Sequence, residues 1–69
     1  MEVYVFKTSV KKMQYEKIEL VLNQQKSILK WNFDFDDCDN ILRIESDQNI
    51  SIFICQLLQK FRFECVELV

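Results

Sequence analysis

Residues 50–61, ISIFICQLLQKF, carry the strongest periodic signal in the chain. Their apolar side chains recur at i, i+3, i+4, i+7, i+8 and i+11, a spacing that places them on one face of a helix. These side chains belong to Ile50, Phe53, Ile54, Leu57, Leu58 and Phe61. Asp47 or Asn49 can cap the start. The stretch therefore predicts an amphipathic helix that runs to about Phe61.

A predicted hairpin precedes this helix. Residues 28–36 alternate between apolar and polar, which is typical of a strand with one buried and one exposed face. The apolar face comprises Leu29, Trp31, Phe33 and Phe35. Residues 37–40, DCDN, have the composition of a turn. Ile41 to Ser46 then predicts the returning strand, with Leu42 and Ile44 pointing inward.

The remaining predicted elements come before the hairpin and after the helix. Residues 2–8, EVYVFKT, are β-branched and aromatic, which predicts a strand. A helix is expected from about Val10 to Gln25, with Thr8 or Ser9 as its cap and an apolar stripe that contains Ile18, Val21 and Leu22. Residues 63–69, FECVELV, predict a final strand.

The predicted order is therefore βαββαβ. Two right-handed βαβ crossovers around a hairpin give the α+β ferredoxin-like architecture, a four-stranded antiparallel sheet with two helices on one face. A chain of 69 residues has room for a single domain, so residues 1–69 are expected to form one. One face of the sheet is then covered by helices, and the other is open.

Composition excludes several classes of function. The chain has no His and no Gly, which excludes Ser–His and Cys–His pairs, His-ligated metals and glycine-rich phosphate loops. A net charge of −2 does not favour nucleic acid. We expect a protein that is not an enzyme and binds no cofactor. Without Gly, any positive φ is expected at Asn23, Asp39 or Asn40.

The compartment is expected to be the cytoplasm. The first ten residues, MEVYVFKTSV, lack the parts of a secretory signal, and the longest apolar run is far too short to cross a bilayer, so no membrane association is expected. Cys38, Cys55 and Cys65 form no CxxC motif and are expected to be free thiols.

The residues also resemble a known family. Ile18-Glu19-Leu20-Val21-Leu22 is similar to the first-helix segment of heavy-metal-associated domains, the fold of copper chaperones. Residues 28–34 are similar to the family's second strand, and Arg62-Phe63 stands where the family has Gly-Tyr. The resemblance covers nearly the whole chain and implies the same ferredoxin-like scaffold.

The family's CxxC metal motif, however, is absent. Counting back from Ile18 places its two cysteines at Lys11 and Gln14. A cation opposes metal binding by charge, and Gln cannot replace a thiolate for Cu(I). The resemblance therefore implies a scaffold without the usual metal ligands, and bound metal is not expected.

These observations favour a small non-catalytic interaction module that self-associates or docks an unidentified protein partner. Tyr4 and Phe6, expected on the open face if Val3 and Val5 face the helices, are the candidate interaction surface, with an edge strand as the other possibility. The alternative is a non-standard metal-binding or metal-chaperone protein that uses Cys38, Cys55 or Cys65. A small-molecule regulatory domain is a third hypothesis, on fold analogy alone.

Overall fold

The computed structural model describes residues 2–36 and 40–68. Within them, four strands form one antiparallel sheet in the order β2-β3-β1-β4. The strands are β1 (Glu2–Thr8), β2 (Ile28–Asp34), β3 (Ile41–Ser46) and β4 (Cys65–Leu68). Two helices, α1 (Tyr15–Asn23) and α2 (Ser51–Lys60), and a short 3₁₀ helix (Lys12–Gln14) complete the described elements. The predicted α+β class, with a four-stranded antiparallel sheet and two helices, is confirmed.

The core lies between the helices and one face of the sheet. Both helices contribute buried side chains to a single cluster with strands β1 and β3. From the helices these are Ile18, Leu22, Ile54 and Leu58, and from the two strands Tyr4, Phe6, Leu42 and Ile44. Phe6 is paired with Leu42 and Tyr4 with Ile44 across neighbouring strands, so their side chains point to the same face.

Tyr4 and Phe6 therefore lie on the covered face, and their expected placement on the open face is wrong. Both are buried, and Phe6 has no exposed surface. Strand β1 is apolar on both faces, so its own pattern could not decide which face meets the helices. The register with β3 decides it, because Leu42 and Ile44 already point inward. Burying the two larger rings also removes more apolar area from water.

The open face of the sheet carries the other half of β1. Val3 is 59% exposed and Val5 is half-buried. Strand β4 extends this strip, since Leu68 is paired with Val5 and Val66 with Lys7. The open face thus carries an apolar strip formed by Val3, Val5, Val66 and Leu68, with Lys7 beside Val66.

A β-bulge changes the expected faces of β2. Ile28 is paired with Ser46 and Lys30 with Glu45, so Leu29 is an extra residue between them. Leu29 is consequently 54% exposed instead of buried with Trp31 and Phe33. Ile28 takes its place and packs against the core. No alternation rule identifies such a bulge, because the extra residue shifts the period only once.

Helix α1 begins later than predicted. The 3₁₀ helix precedes it, and neither Thr8 nor Ser9 caps it. The Thr8 hydroxyl accepts a hydrogen bond from the Val10 amide at 3.2 Å and donates one to the Asn40 carbonyl at 2.7 Å. The Ser9 hydroxyl accepts one from the Glu64 amide at 2.8 Å. Both side chains thus fix the loop after β1 to the rest of the sheet.

Helix α2 ends in a left-handed turn that the composition did not predict. At its start, the Asn49 side chain accepts a hydrogen bond from the Ser51 amide at 3.2 Å. At its end, the Phe63 amide donates to the Leu58 carbonyl and the Arg62 amide to the Gln59 carbonyl, which is the Schellman arrangement. Arg62 has φ 66°.

The three residues predicted as sites of positive φ have different outcomes. Asn40 has φ 47°, as predicted. Asn23 instead lies in α1. Asp39 lies outside the described residues, as do Cys38 and the rest of the turn at 37–39. Among the described helices, none is long and apolar enough to cross a membrane.

Replacing Arg62 with glycine is expected to stabilise the fold. A side chain with a Cβ costs about 1–2 kcal/mol in the left-handed region, and glycine loses about 0.5–1 kcal/mol through chain entropy. Arg62→Gly should therefore raise the free energy of unfolding by about 0.5–1 kcal/mol in urea denaturation. The matched control is Lys60→Gly in the last turn of α2, which should lower it by a similar amount. An equal loss of unfolding free energy in both variants would contradict the left-handed conformation of Arg62.

Candidate functional site

A groove of about 350 Å³ lies between α1 and β2. Its lining is mainly aromatic, with one cation, one carboxylate and one amide. The lining residues are Lys12, Tyr15, Glu19, Trp31, Asn32, Phe33 and Phe35. Its volume lies near the lower end of the range of sites that bind small molecules.

The four rings of the groove contact one another. Phe33 and Phe35 stack with their centroids 5.1 Å apart, and Trp31 meets Phe33 edge-on at 6.0 Å. Tyr15, from α1, lies 5.7 Å from Phe35 and 6.3 Å from Phe33. The rings of Trp31, Phe33 and Phe35 belong to every second residue, so the alternation of an extended chain places them on one side. All four are half-buried.

The helical wall of the groove carries its two charges. Lys12, Tyr15 and Glu19 are three and four residues apart, a spacing that brings side chains to one side of a helical segment. Lys12 is exposed and Glu19 is half-buried. The groove thus offers an apolar floor of rings with a cation and a carboxylate on the helical wall.

A hydrogen bond joins the two walls. The Trp31 indole Nε1–H donates to the Asn23 side-chain oxygen at 2.8 Å. Asn23 is the last residue of α1, and Trp31 lies in the middle of β2. Because Trp31 is the only tryptophan in the chain, its indole reports on the groove directly.

Lys11 and Gln14, the positions that match the family's metal cysteines, have a structural role here. The Lys11 amide donates to the Gln14 side-chain oxygen at 3.1 Å, and the Gln14 amide donates to the Lys11 carbonyl at 2.8 Å. These bonds close the 3₁₀ turn that leads into α1. Over residues 2–36 and 40–68, no three metal-ligating side chains come together.

Two of the three cysteines lie next to each other. The Cys55 thiol, in α2, is 3.5 Å from the Cys65 sulfur at the start of β4. Cys65 is buried and Cys55 half-buried. Burial raises the pKa of the Cys65 thiol, and the hydrogen bond with Cys55 adds to the effect. Cys38 lies outside the described residues.

The sequence placed the candidate surface on residues that are buried, and it predicted that the aromatic side chains of residues 31–35 face the core. That second prediction is confirmed for Trp31 and Phe33, which pack against the core but remain half-buried. Tyr4 and Phe6 form no surface, because both are buried under the helices. The sequence showed only that the rings of Trp31, Phe33 and Phe35 share one face; the exposure of these rings depends on α1, which is nine residues long and shorter than predicted. A short helix cannot cover every ring of a neighbouring edge strand.

Comparisons with protein families, with curated proteins and with solved structures found no match.

The bond between Asn23 and Trp31 is expected to protect the indole N–H. Asn23→Ala removes the acceptor, so the Trp31 Nε1–H should exchange with water faster by NMR, and tryptophan emission should shift to the red. A hydrogen bond contributes about 0.5–1.5 kcal/mol, part of which alanine offsets through its better helix propensity. Asn23→Asp keeps an acceptor oxygen and should retain the protection. Unchanged exchange in Asn23→Ala would contradict the contact.

Proposed function

We propose that this chain is a small non-catalytic interaction module that binds an extended segment of a partner protein along β2. In this proposal, an apolar side chain of the partner enters the aromatic groove. The observation that carries it is the position of the groove beside the edge of the sheet, where backbone groups and a pocket for a side chain lie together.

The edge position of β2 supplies the backbone part of the proposed site. In the described part of the chain, β2 is paired with β3 on one side only. An edge strand presents unpaired N–H and C=O groups, and an incoming strand can bond to them. The bulge at Leu29 interrupts the start of β2, which leaves residues 30–34 as the regular stretch for pairing.

The groove supplies the side-chain part. In strand addition, main-chain hydrogen bonds give affinity, and pockets for alternate side chains give specificity. Rings that are half-buried lose little conformational freedom on binding, and they offer large contact areas. The lining favours an aromatic or large aliphatic side chain, and Lys12 and Glu19 favour partner residues of opposite charge.

The scaffold proposed for this module is ferredoxin-like. The sheet order, read from the other edge as β4-β1-β3-β2, and the element order along the chain support it. Relation to heavy-metal-associated domains remains a proposal. It is supported by the left-handed φ of Arg62, at a position where that family has glycine. The family's two metal-binding cysteines, however, are replaced by Lys11 and Gln14. The cytoplasmic location stays a prediction.

The proposal is tested by selecting random linear peptides displayed on phage against the immobilised full chain. We expect enriched peptides to carry an aromatic or large aliphatic residue and to quench or shift Trp31 fluorescence on titration. Phe35→Ala should weaken binding at least about tenfold, the loss typical of an interface hot spot. The matched control is Phe53→Ala on α2, another partly exposed phenylalanine, at 43% exposure, outside the groove lining.

Two results would overturn this proposal. One is enrichment of peptides whose binding survives Phe35→Ala but is lost in Val66→Ser, which would move the site to the open sheet face. The other is failure to enrich any peptide. A dimer in native mass spectrometry that Phe35→Ala dissociates would identify a second copy of the chain as the partner.

The alternative, a non-standard metal-binding protein, rests on the 3.5 Å between the Cys55 and Cys65 sulfur atoms. Thiolates prefer soft ions such as Cu(I), and Zn(II) also accepts them. This alternative predicts one tightly bound Cu(I) or Zn(II) per chain in native mass spectrometry of the reduced protein. That metal should be absent from a variant with all three cysteines replaced by serine. A metal-free wild-type chain would exclude it.

A further inference from the structure

The thiols of Cys55 and Cys65 face each other from two different elements, a helix and a strand. Cys55 lies in the middle of α2, and Cys65 is the first residue of β4. The Cys55 thiol points to the Cys65 sulfur at 3.5 Å. Neither side chain lines the groove between α1 and β2. The pair is therefore an observation independent of the proposed peptide site.

The surrounding backbone holds the two sulfurs in register. Between them, the Schellman bonds to Gln59 and Leu58 fix the end of α2. Next to Cys65, Glu64 exchanges two hydrogen bonds with Ser9, one through the backbone at 3.1 Å and one through the serine hydroxyl at 2.8 Å. Cys65 itself is paired with Thr8 in the sheet. Both thiols thus belong to ordered elements whose ends are fixed by hydrogen bonds.

We propose that Cys55 and Cys65 are an oxidative modification site that forms a reversible disulfide between α2 and β4. A disulfide has an S–S distance of about 2.05 Å, so the sulfurs must approach by about 1.5 Å. The proposal requires side-chain rotation about χ1, with a small shift of α2, to supply this movement. The oxidant is a small disulfide of the glutathione class.

The reaction proceeds by two thiol–disulfide exchanges. The Cys55 thiolate attacks one sulfur of oxidised glutathione, whose S–S bond breaks and releases one glutathione thiolate. The Cys65 thiol then gives up its proton to water, attacks the Cys55 sulfur of this mixed disulfide and releases the second glutathione, whose thiolate takes up a proton. The two cysteines lose two electrons and two protons, and oxidised glutathione gains them as two thiols.

Exposure sets the order of the two cysteines. Cys55 is half-buried and can meet the oxidant, whereas Cys65 is buried. Burial also raises the pKa of Cys65, which keeps it protonated and slow toward reagents in solution. Its attack on Cys55 is favoured instead by proximity, because the mixed disulfide forms within a few ångströms of it. Cys55 is thus the entry point and Cys65 the resolving thiol.

The experiment uses the full chain with Cys38→Ser, which leaves only the two thiols of the proposal. The reduced protein is incubated with excess oxidised glutathione, quenched with acid and weighed intact by mass spectrometry. We expect a monomer two hydrogens lighter, with no retained glutathione and no thiol that reacts with iodoacetamide. Its midpoint of thermal unfolding should rise by roughly 10 °C and return after reduction, because the crosslink restricts the unfolded chain.

Two double variants assign the order of the steps. In the Cys38→Ser background, Cys65→Ala should retain one glutathione on Cys55, and Cys55→Ala should acquire glutathione at least about tenfold more slowly. The proposal itself depends only on the single variant. Retained glutathione, persistent free thiols, disulfide-linked dimers or a lowered midpoint in Cys38→Ser would each overturn it.

Discussion

The pairing of β1 with β3 is the constraint on which the rest of this structure depends. It places Phe6 beside Leu42 and Tyr4 beside Ile44, and so decides which face of the sheet the helices cover. Because β1 also pairs with β4, the same choice turns Cys65 toward α2 and Val66 and Leu68 toward the open face. A shift of one residue would exchange the two faces and expose Phe6. The buried rings resist that shift, since their exposure would cost several kcal/mol.

Much of the fold could be predicted from stretches whose hydrophobic pattern is compatible with only one structure. The apolar stripe of residues 50–58 has only one helical face, and in residues 41–46 the alternation points Leu42 and Ile44 inward. The wrong predictions concern positions where the sequence is compatible with more than one local structure. Strand β1 is apolar on both sides, and only a partner strand can choose between them. Leu29 lies at a bulge, and Arg62 takes a conformation that its residue type does not favour.

The same reasoning explains what could be predicted of the candidate sites. The alternation of Trp31, Phe33 and Phe35 gave their shared face but not their exposure, because exposure depends on the length of α1 and on the edge position of β2. The proximity of Cys55 and Cys65 depends on the turn around Arg62, which brings the start of β4 back alongside α2. Neither feature belongs to a single element, so no local pattern indicates it. Each one follows from how two elements meet.

The bulge at Leu29 has a consequence for how copies of this protein can assemble. A sheet with two equivalent edges can grow without limit, as each added strand offers the next edge. Here the edges are unlike: β2 has seven residues with one extra residue near its start, and β4 has four. A β2 edge that joins another β2 edge about a twofold axis closes the assembly and leaves only short strands outside. The bulge also bends and twists the β2 edge, and an edge of that kind is a poor template for repeated edge-to-edge pairing.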